Sequence, residues 1–191
     1  MLFLREPSFS RTVSRILRVD HAGEYGAIRI YAAQIFFAKR LHPAVVPFLV
    51  ETIVHERRHA ATFRELMWPR GTRPCYAMPL WGLGGTALGL FTGLLGVNAI
   101  MICTEAVERT VHAHLNAQLA WLEDRDPVLS AAIRNVRDEE VGHHDRAHDA
   151  RTSFGRGAQM LDGFVAGTTR LLIWCSTYGA LTRAERAVGQ A

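Results

Sequence analysis

Six side chains in this sequence have the types and spacing to hold two metal ions: Glu24, Glu56, His59, Glu108, Glu140 and His143. Glu56 and His59 stand three residues apart, as do Glu140 and His143. Residues at that spacing are neighbours on one helix face, so each pair can grip an ion. One such pair alone is common on solvated helices and carries little weight. The longer spacings carry more. Glu24 and Glu56 are 32 residues apart, as are Glu108 and Glu140, and a single offset of 84 maps the first set onto the second, His59 onto His143. The chain therefore reads as a duplicated helix pair, each copy supplying a lone Glu and a Glu-x-x-His. This is the donor set of di-iron and di-manganese carboxylate bundles. Two divalent cations would neutralise the four carboxylates. Oxygen and imidazole donors suit iron or manganese, and the lack of thiolates argues against structural zinc or an iron–sulfur site.

The same offset chooses between neighbours. His144 competes with His143, but its counterpart is Ala60; Glu105 competes with Glu108, but its counterpart is His21. Symmetry therefore selects Glu108 and His143. Asp20, Asp138 and Glu139 are candidates to accept the second ring N–H of a liganding histidine. His114 lies on the Glu108 helix, off its main stripe, and reads as a hydrogen-bonded core histidine.

The elements that must position these groups are helices. Val13, Ile16, Asp20, Glu24, Ala27, Tyr31 and Ile35 recur at three- and four-residue steps, one face of a helix over about 9–40. Ser8 or Ser10 is the expected cap, and Pro43 the stop. A second stripe, Val45, Leu49, Thr52, Glu56, His59, Phe63 and Leu66, predicts a helix over 44–68. Met101, Thr104, Glu108, Val111, Leu115 and Leu119 predict a third over 97–122. Asp126-Pro127, an N-cap followed by a first-turn proline, opens a fourth over 127–151. Each Glu of the set occupies a stripe position that calls for a core residue, and burying an unpaired ion there is costly.

Two further segments are apolar. Pro74 to Thr104 contains no charged residue, a run longer than the roughly 20 residues of a membrane span. Its glycines suit close helix packing, and a break is expected near Gly96, giving a helix within 74–96. A last apolar helix is expected over 158–181. No alternating strand pattern of useful length appears, so the fold class is all-α within one domain spanning 1–191. The net charge of +4 is dispersed, which excludes a nucleic-acid arm. Three cysteines without a CxxC indicate no disulfide framework and a reducing compartment. The first ten residues carry no secretion signal.

Several stretches together resemble the demethoxyubiquinone hydroxylases of ubiquinone biosynthesis. They are Arg15-Ile-Leu-Arg-Val-Asp-His-Ala-Gly-Glu-Tyr-Gly-Ala27, Glu56 and His59 with Phe63-Arg-Glu-Leu-Met67, Met78-Pro-Leu-Trp81, Cys103-Thr104 with Ala106-Val-Glu108, and Arg137-Asp-Glu-Glu140 with His143-His-Asp145. The resemblance covers about Val13 to Ile173. It implies a ferritin-like four-helix bundle with two added apolar helices. It also implies a centre of two iron ions, with ligands on the six residues that spacing selects. The implied reaction inserts one oxygen atom from O₂ into a quinone ring beside a methoxy group. NADH or a quinol is the implied reductant, and in some members a lipid-binding partner protein presents the substrate. His114 and Arg170 are the remaining candidates for contact with the reacting molecules. The sequence departs from the family at Leu115 and Trp174, where members often carry tyrosine.

A polyprenyl quinone must come from a bilayer, so the apolar segments are expected to lie on a membrane surface rather than span it. Arg156, Arg170, Arg183 and Arg186 are placed to meet lipid phosphates. The expected location is the cytoplasmic face of a bacterial plasma membrane, or the matrix face of the inner mitochondrial membrane. A buried core pair or a homo-oligomer interface is the plainer use of the same surface. Other ferritin-like oxidases, such as a ferroxidase, a peroxide scavenger or a tRNA hydroxylase, do not account for the apolar run. A non-enzymatic quinone-binding or assembly protein retaining the metals is the other alternative.

Overall fold

The computed structural model describes residues 7–122 and 125–177, and among them every regular element is helical. The long first helix, α1 (Pro7–Leu41), contains Ser8 and Ser10 within its length rather than at a cap. It stops where Pro43 removes a backbone donor. A 3-10 turn (Pro43–Val45) precedes α2 (Val46–Met67), so the second helix begins two residues later than expected. Gly71, at φ 61°, closes it while the Thr72 amide bonds back to the Met67 carbonyl at 3.0 Å. After α3 (Met78–Leu95), Gly96 at φ 105° breaks the chain before α4 (Val97–Leu122). Helix α5 (Pro127–Asp149) is capped as expected: the Asp126 carboxylate accepts the Leu129 amide at 3.2 Å. Arg70 holds the same carboxylate at 3.1 Å, tying the end of α2 to the start of α5. The last helix, α6 (Arg156–Thr177), starts two residues earlier than expected, because the Gly155 carbonyl already accepts the Gln159 amide at 3.0 Å. Residues 178–181 of the expected helix, and Arg183 and Arg186, lie outside the described residues.

Helices α1 and α2 form one hairpin, α4 and α5 the other, and together they make the all-α, ferritin-like bundle that the sequence predicts. Apolar residues close both of its ends. Ile16, Leu17, Phe63, Leu122, Leu129 and Ile133 pack at one end. Leu49, Ile53, Ile100, Met101 and Ala147 pack at the other. The acids of the stripes lie between these two plugs.

Helix α3 lies along α1, and α6 along α4. The first contact is very close: a Cβ added at Gly85 would meet the Gly26 carbonyl oxygen at 2.4 Å, and one at Gly89 the Ile30 oxygen at 2.3 Å. The duplication extends to these outer helices, which the spacing of the acids alone did not reveal. Trp81, Gly82, Gly85, Gly89, Thr92 and Gly93 are buried on α3. Shifted by 84, these become Val165, Ala166, Thr169, Ile173, Ser176 and Thr177, all buried on α6. Register persists where residue types have diverged.

Candidate metal centre

Glu24 comes from α1, Glu56 and His59 from α2, Glu108 from α4, and Glu140 and His143 from α5. All six are at most 5% exposed. They form two clusters, one of Glu24, Glu56, His59 and Glu140, the other of Glu56, Glu108, Glu140 and His143, with the donor atoms of each within 4.8 Å of one another. Glu56 and Glu140 belong to both clusters. His59 Nδ1 lies 3.0 Å from Glu140 Oε1 and 3.7 Å from Glu24 Oε2. His143 Nδ1 lies 3.0 Å from Glu140 Oε2 and 3.6 Å from Glu56 Oε1. The competitors stand elsewhere. Glu105 pairs with Arg151 at 2.5 Å and His148 at 3.2 Å, and half-buried His144 bonds Asp145 at 3.0 Å.

Four carboxylates in a dry interior demand positive charge. Burial, reinforced by Glu140, pushes Glu56 and Glu108 well above the ordinary carboxylate range. Burial also raises Glu24. Glu140 goes the other way: despite its burial, a hydrogen bond from His143 and the His59 ring close beside it hold it below that range. Burial opposes a charge on His59, but Glu140 and Glu24 outweigh it and raise the ring to about 10. A proton there does in part what a cation would do between the acids. Buried Glu56 Oε1 and His59 Nδ1 have no hydrogen-bond partner. With the other His59 nitrogen, Nε2, 3.1 Å from Glu139 Oε2, a proton on Nε2 leaves the Nδ1 lone pair among carboxylates. An oxygen-rich pocket with two such nitrogen donors fits divalent cations of the iron and manganese kind.

The surroundings were only partly legible in the sequence. Of the three acids expected beside the histidines, Glu139 contacts His59 and is also paired with Arg58. Asp138 pairs with Arg137 on the surface. Asp20 accepts instead from Gln118 at 2.6 Å. His55, which sequence reasoning missed, stands 2.9 Å from His143 Nε2. It is the counterpart of Glu139 at the offset of 84, so the repeat could have found it. Tyr31 was also missed as a functional group. Its hydroxyl donates to Glu108 Oε1 at 2.7 Å from within an apolar stripe, and burial followed by repulsion from Glu108 keeps the phenol protonated.

All four glutamates border a cavity between α1, α3, α4 and α6. Its other walls are largely apolar, with Ile30, Trp81, Leu88, Val107 and Leu172 among them, and among the described residues Asp20 and His114 are its only other titratable groups. The enclosed space is about 50 Å³, room for one or two waters. Arg170 and Trp174 lie exposed on α6 and do not border it. Outside the cavity, α3 presents Leu80, Leu83, Leu90, Phe91 and Leu94 to the surface, and α6 presents Phe164, Leu171 and Trp174.

A sequence model of the family described as "Ubiquinone biosynthesis protein COQ7" matches residues 11–176. The chain is 45% identical over 144 residues to a protein of Mus musculus named NADPH-dependent 3-demethoxyubiquinone 3-hydroxylase, mitochondrial. That alignment covers 72% of this chain and 65% of the mouse protein, just under two thirds of its length. It is 40% identical over 168 residues to the Homo sapiens protein of the same name, covering 86% of this chain and 76% of that one. A Rhodospirillum rubrum protein named 3-demethoxyubiquinol 3-hydroxylase is 37% identical over 171 residues, covering 90% and 80% respectively.

Proposed function

The chain belongs to the COQ7 family of ubiquinone biosynthesis proteins, and from that premise we propose that it hydroxylates the ring of a demethoxyubiquinone or its quinol, using two iron ions held by Glu24, Glu56, His59, Glu108, Glu140 and His143. The observation that carries this reading is the meeting of these six buried side chains at the wall of an apolar cavity. When bound, the irons supply the activation of O₂ that no side chain can perform.

The protein's own work is to hold and to exclude. Glu56 and Glu140, common to both clusters, would serve both ions. Glu139 orients the His59 ring and His55 the His143 ring, while Tyr31 fixes one oxygen of Glu108. The two apolar plugs and the cavity wall keep bulk water from the carboxylates, which strengthens every charge interaction inside. The ring needs more than the enclosed 50 Å³, so it enters by displacing side chains such as Trp81, Leu88 and Leu172. The tail stays outside, against the apolar surface of α3 and α6. Helix α3 is long and apolar enough to cross a membrane, but its glycine face is committed to α1. That favours a chain lying on the membrane surface, with exposed Arg156 and Arg170 near lipid phosphates. The mammalian relatives are named for NADPH, so NADPH is the reductant to set beside NADH and a quinol.

The test uses purified, iron-loaded protein with O₂, NADPH or NADH, and a short-chain demethoxyubiquinone. Ring-hydroxylated product is expected, with none from Glu140→Ala. A wild-type protein carrying both irons and forming no product would overturn the enzyme reading in favour of a scaffold.

A further inference from the structure

Asp20 sits one turn before Glu24 on α1, in the cavity wall, at 6% exposure. Its Oδ1 accepts from Gln118 Nε2 on α4 at 2.6 Å, and Gln118 in turn lies 3.0 Å from His114 Nε2. Its Oδ2 is buried and has no hydrogen-bond partner. Leaving a buried acceptor unpaired is costly, more so for an acid than for a neutral group.

The fold does not require an acid here. The counterpart of Gln118 at the offset of 84 is Gln34, and the counterpart of Asp20 is Thr104. In that half the glutamine donates to a hydroxyl of α3 instead: Gln34 Nε2 bonds Thr92 Oγ1 at 2.9 Å. A carboxyl thus meets the glutamine only in the half where that partner, Asp20, borders the cavity. Of the neighbouring wall residues, Val19, Ile30, Val107 and Leu172 offer a ring no polar group, and the Trp81 indole already donates to Ser176 Oγ at 2.8 Å.

We infer that Asp20 is the anchor of the ring: its free oxygen accepts a hydrogen bond from a ring hydroxyl of the quinol form of the substrate, while Gln118 and His114 hold the carboxyl in place. The inference rests on the quinone reading above and names the redox form of the ring that the site grips. A quinone carbonyl or a methyl ether has no hydrogen to give. Burial, only partly offset by His114 and Gln118, raises the Asp20 carboxyl to about 7, so near neutrality a large fraction is ionised and ready to accept.

The test is anaerobic binding to the iron-loaded protein, followed by tryptophan fluorescence. The probes are a demethoxyubiquinol with a single prenyl tail and its 1,4-di-O-methyl ether. Wild type should bind the quinol roughly ten- to a hundredfold more tightly than the ether. Asp20→Asn, with its iron content unchanged, should lose most of that preference while binding the ether as wild type does, and should raise KM more than it lowers kcat. Equal affinity of wild type for the two probes would overturn the anchor whether or not any variant folds. So would an Asp20→Asn protein that keeps the preference. If wild type hydroxylates the quinol without preferring it, only the anchor fails. If it neither binds nor hydroxylates the quinol, the quinone reading fails and takes the anchor with it.

Discussion

Around Glu108, the Tyr31 hydroxyl stands 2.7 Å from one carboxylate oxygen. Around Glu24, its counterpart, the position matching Tyr31 is occupied by Leu115, which is 1% exposed. The His59 ring meets a carboxylate, Glu139; the matching His143 ring meets another imidazole, His55. Gln34 bonds a hydroxyl where Gln118 bonds an acid. Helix α3 docks through glycine and α6 through Ala166 and Thr169. The duplication keeps the donors and their register while its neighbours have diverged. Two positions equivalent in the backbone are therefore inequivalent in charge and in access to the cavity.

The largest expected effect separates the shared carboxylates from the lone ones. Glu140 belongs to both clusters and Glu24 to one. Glu140→Ala should abolish retention of both irons, while Glu24→Ala should leave a single iron held by Glu56, Glu108, Glu140 and His143. Metal analysis of the purified variants reads the difference. Equal loss in both would mean that the two clusters fill only together.

The outer helices give the next contrast. A side chain at Gly85 meets the Gly26 carbonyl at 2.4 Å, and backbone cannot yield as a flexible side chain can. Gly85→Val should cost about 3 kcal/mol or more in chemical denaturation. At the matching position Thr169→Val loses only a hydroxyl bonded to Val165 of its own helix and should cost less than about 1 kcal/mol.

A titration distinguishes Asp20 from Thr104. The folded Asp20 carboxyl titrates near 7, against 3.8 unperturbed. Because folding raises this pKa, the fold is most stable with the group neutral, and stability falls as pH rises towards 7. Between pH 5 and 7 the loss is roughly 2 kcal/mol, starting near 1.4 kcal/mol per unit and flattening as the folded group ionises. Asp20→Asn should remove this slope, so that its stability gains on wild type across that interval; Thr104→Ala should leave the slope in place. Melting temperatures at pH 5, 6, 7 and 8 check both.

These contrasts also mark what the sequence could and could not reveal. The convergence of the six side chains was legible because an acid in an apolar stripe is costly, and because one offset relates all of them. The helix ends at Pro43, Gly96 and Asp126 were legible from backbone chemistry alone. The starts of α1 and α6 were not, since helix formation reached past the nearest polar residue. Tyr31, His55 and the bond between Asp20 and Gln118 were invisible because contacts across helices depend on rotation about each axis, which a stripe only approximates. The repeat in α3 and α6 was hidden by composition: glycine on one helix and threonine or isoleucine on the other occupy the same register.

The smallest effects concern the tyrosine that one half has and the other lacks. Tyr31→Phe removes the donor to Glu108 and leaves a buried oxygen less well satisfied, without changing the shape of the core. Partners of metal-bound carboxylates typically tune affinity ten- to a hundredfold, so iron should dissociate faster from the Glu108 side alone, with the fold intact. Leu115→Tyr is the reciprocal change. Near-symmetry brings a hydroxyl at 115 towards Glu24 as the hydroxyl at 31 reaches Glu108. The extra volume costs about 1–3 kcal/mol of stability in a packed wall, and Glu24 gains a phenol hydrogen bond like that of Glu108. If the two halves differ chiefly through this pair, Leu115→Tyr should make the two irons more alike in Mössbauer spectra, and Tyr31→Phe should make both resemble the present Glu24 side. Spectra unmoved by either change would shift the source of inequivalence to His55 and Glu139, the remaining mismatched pair in contact with the donors.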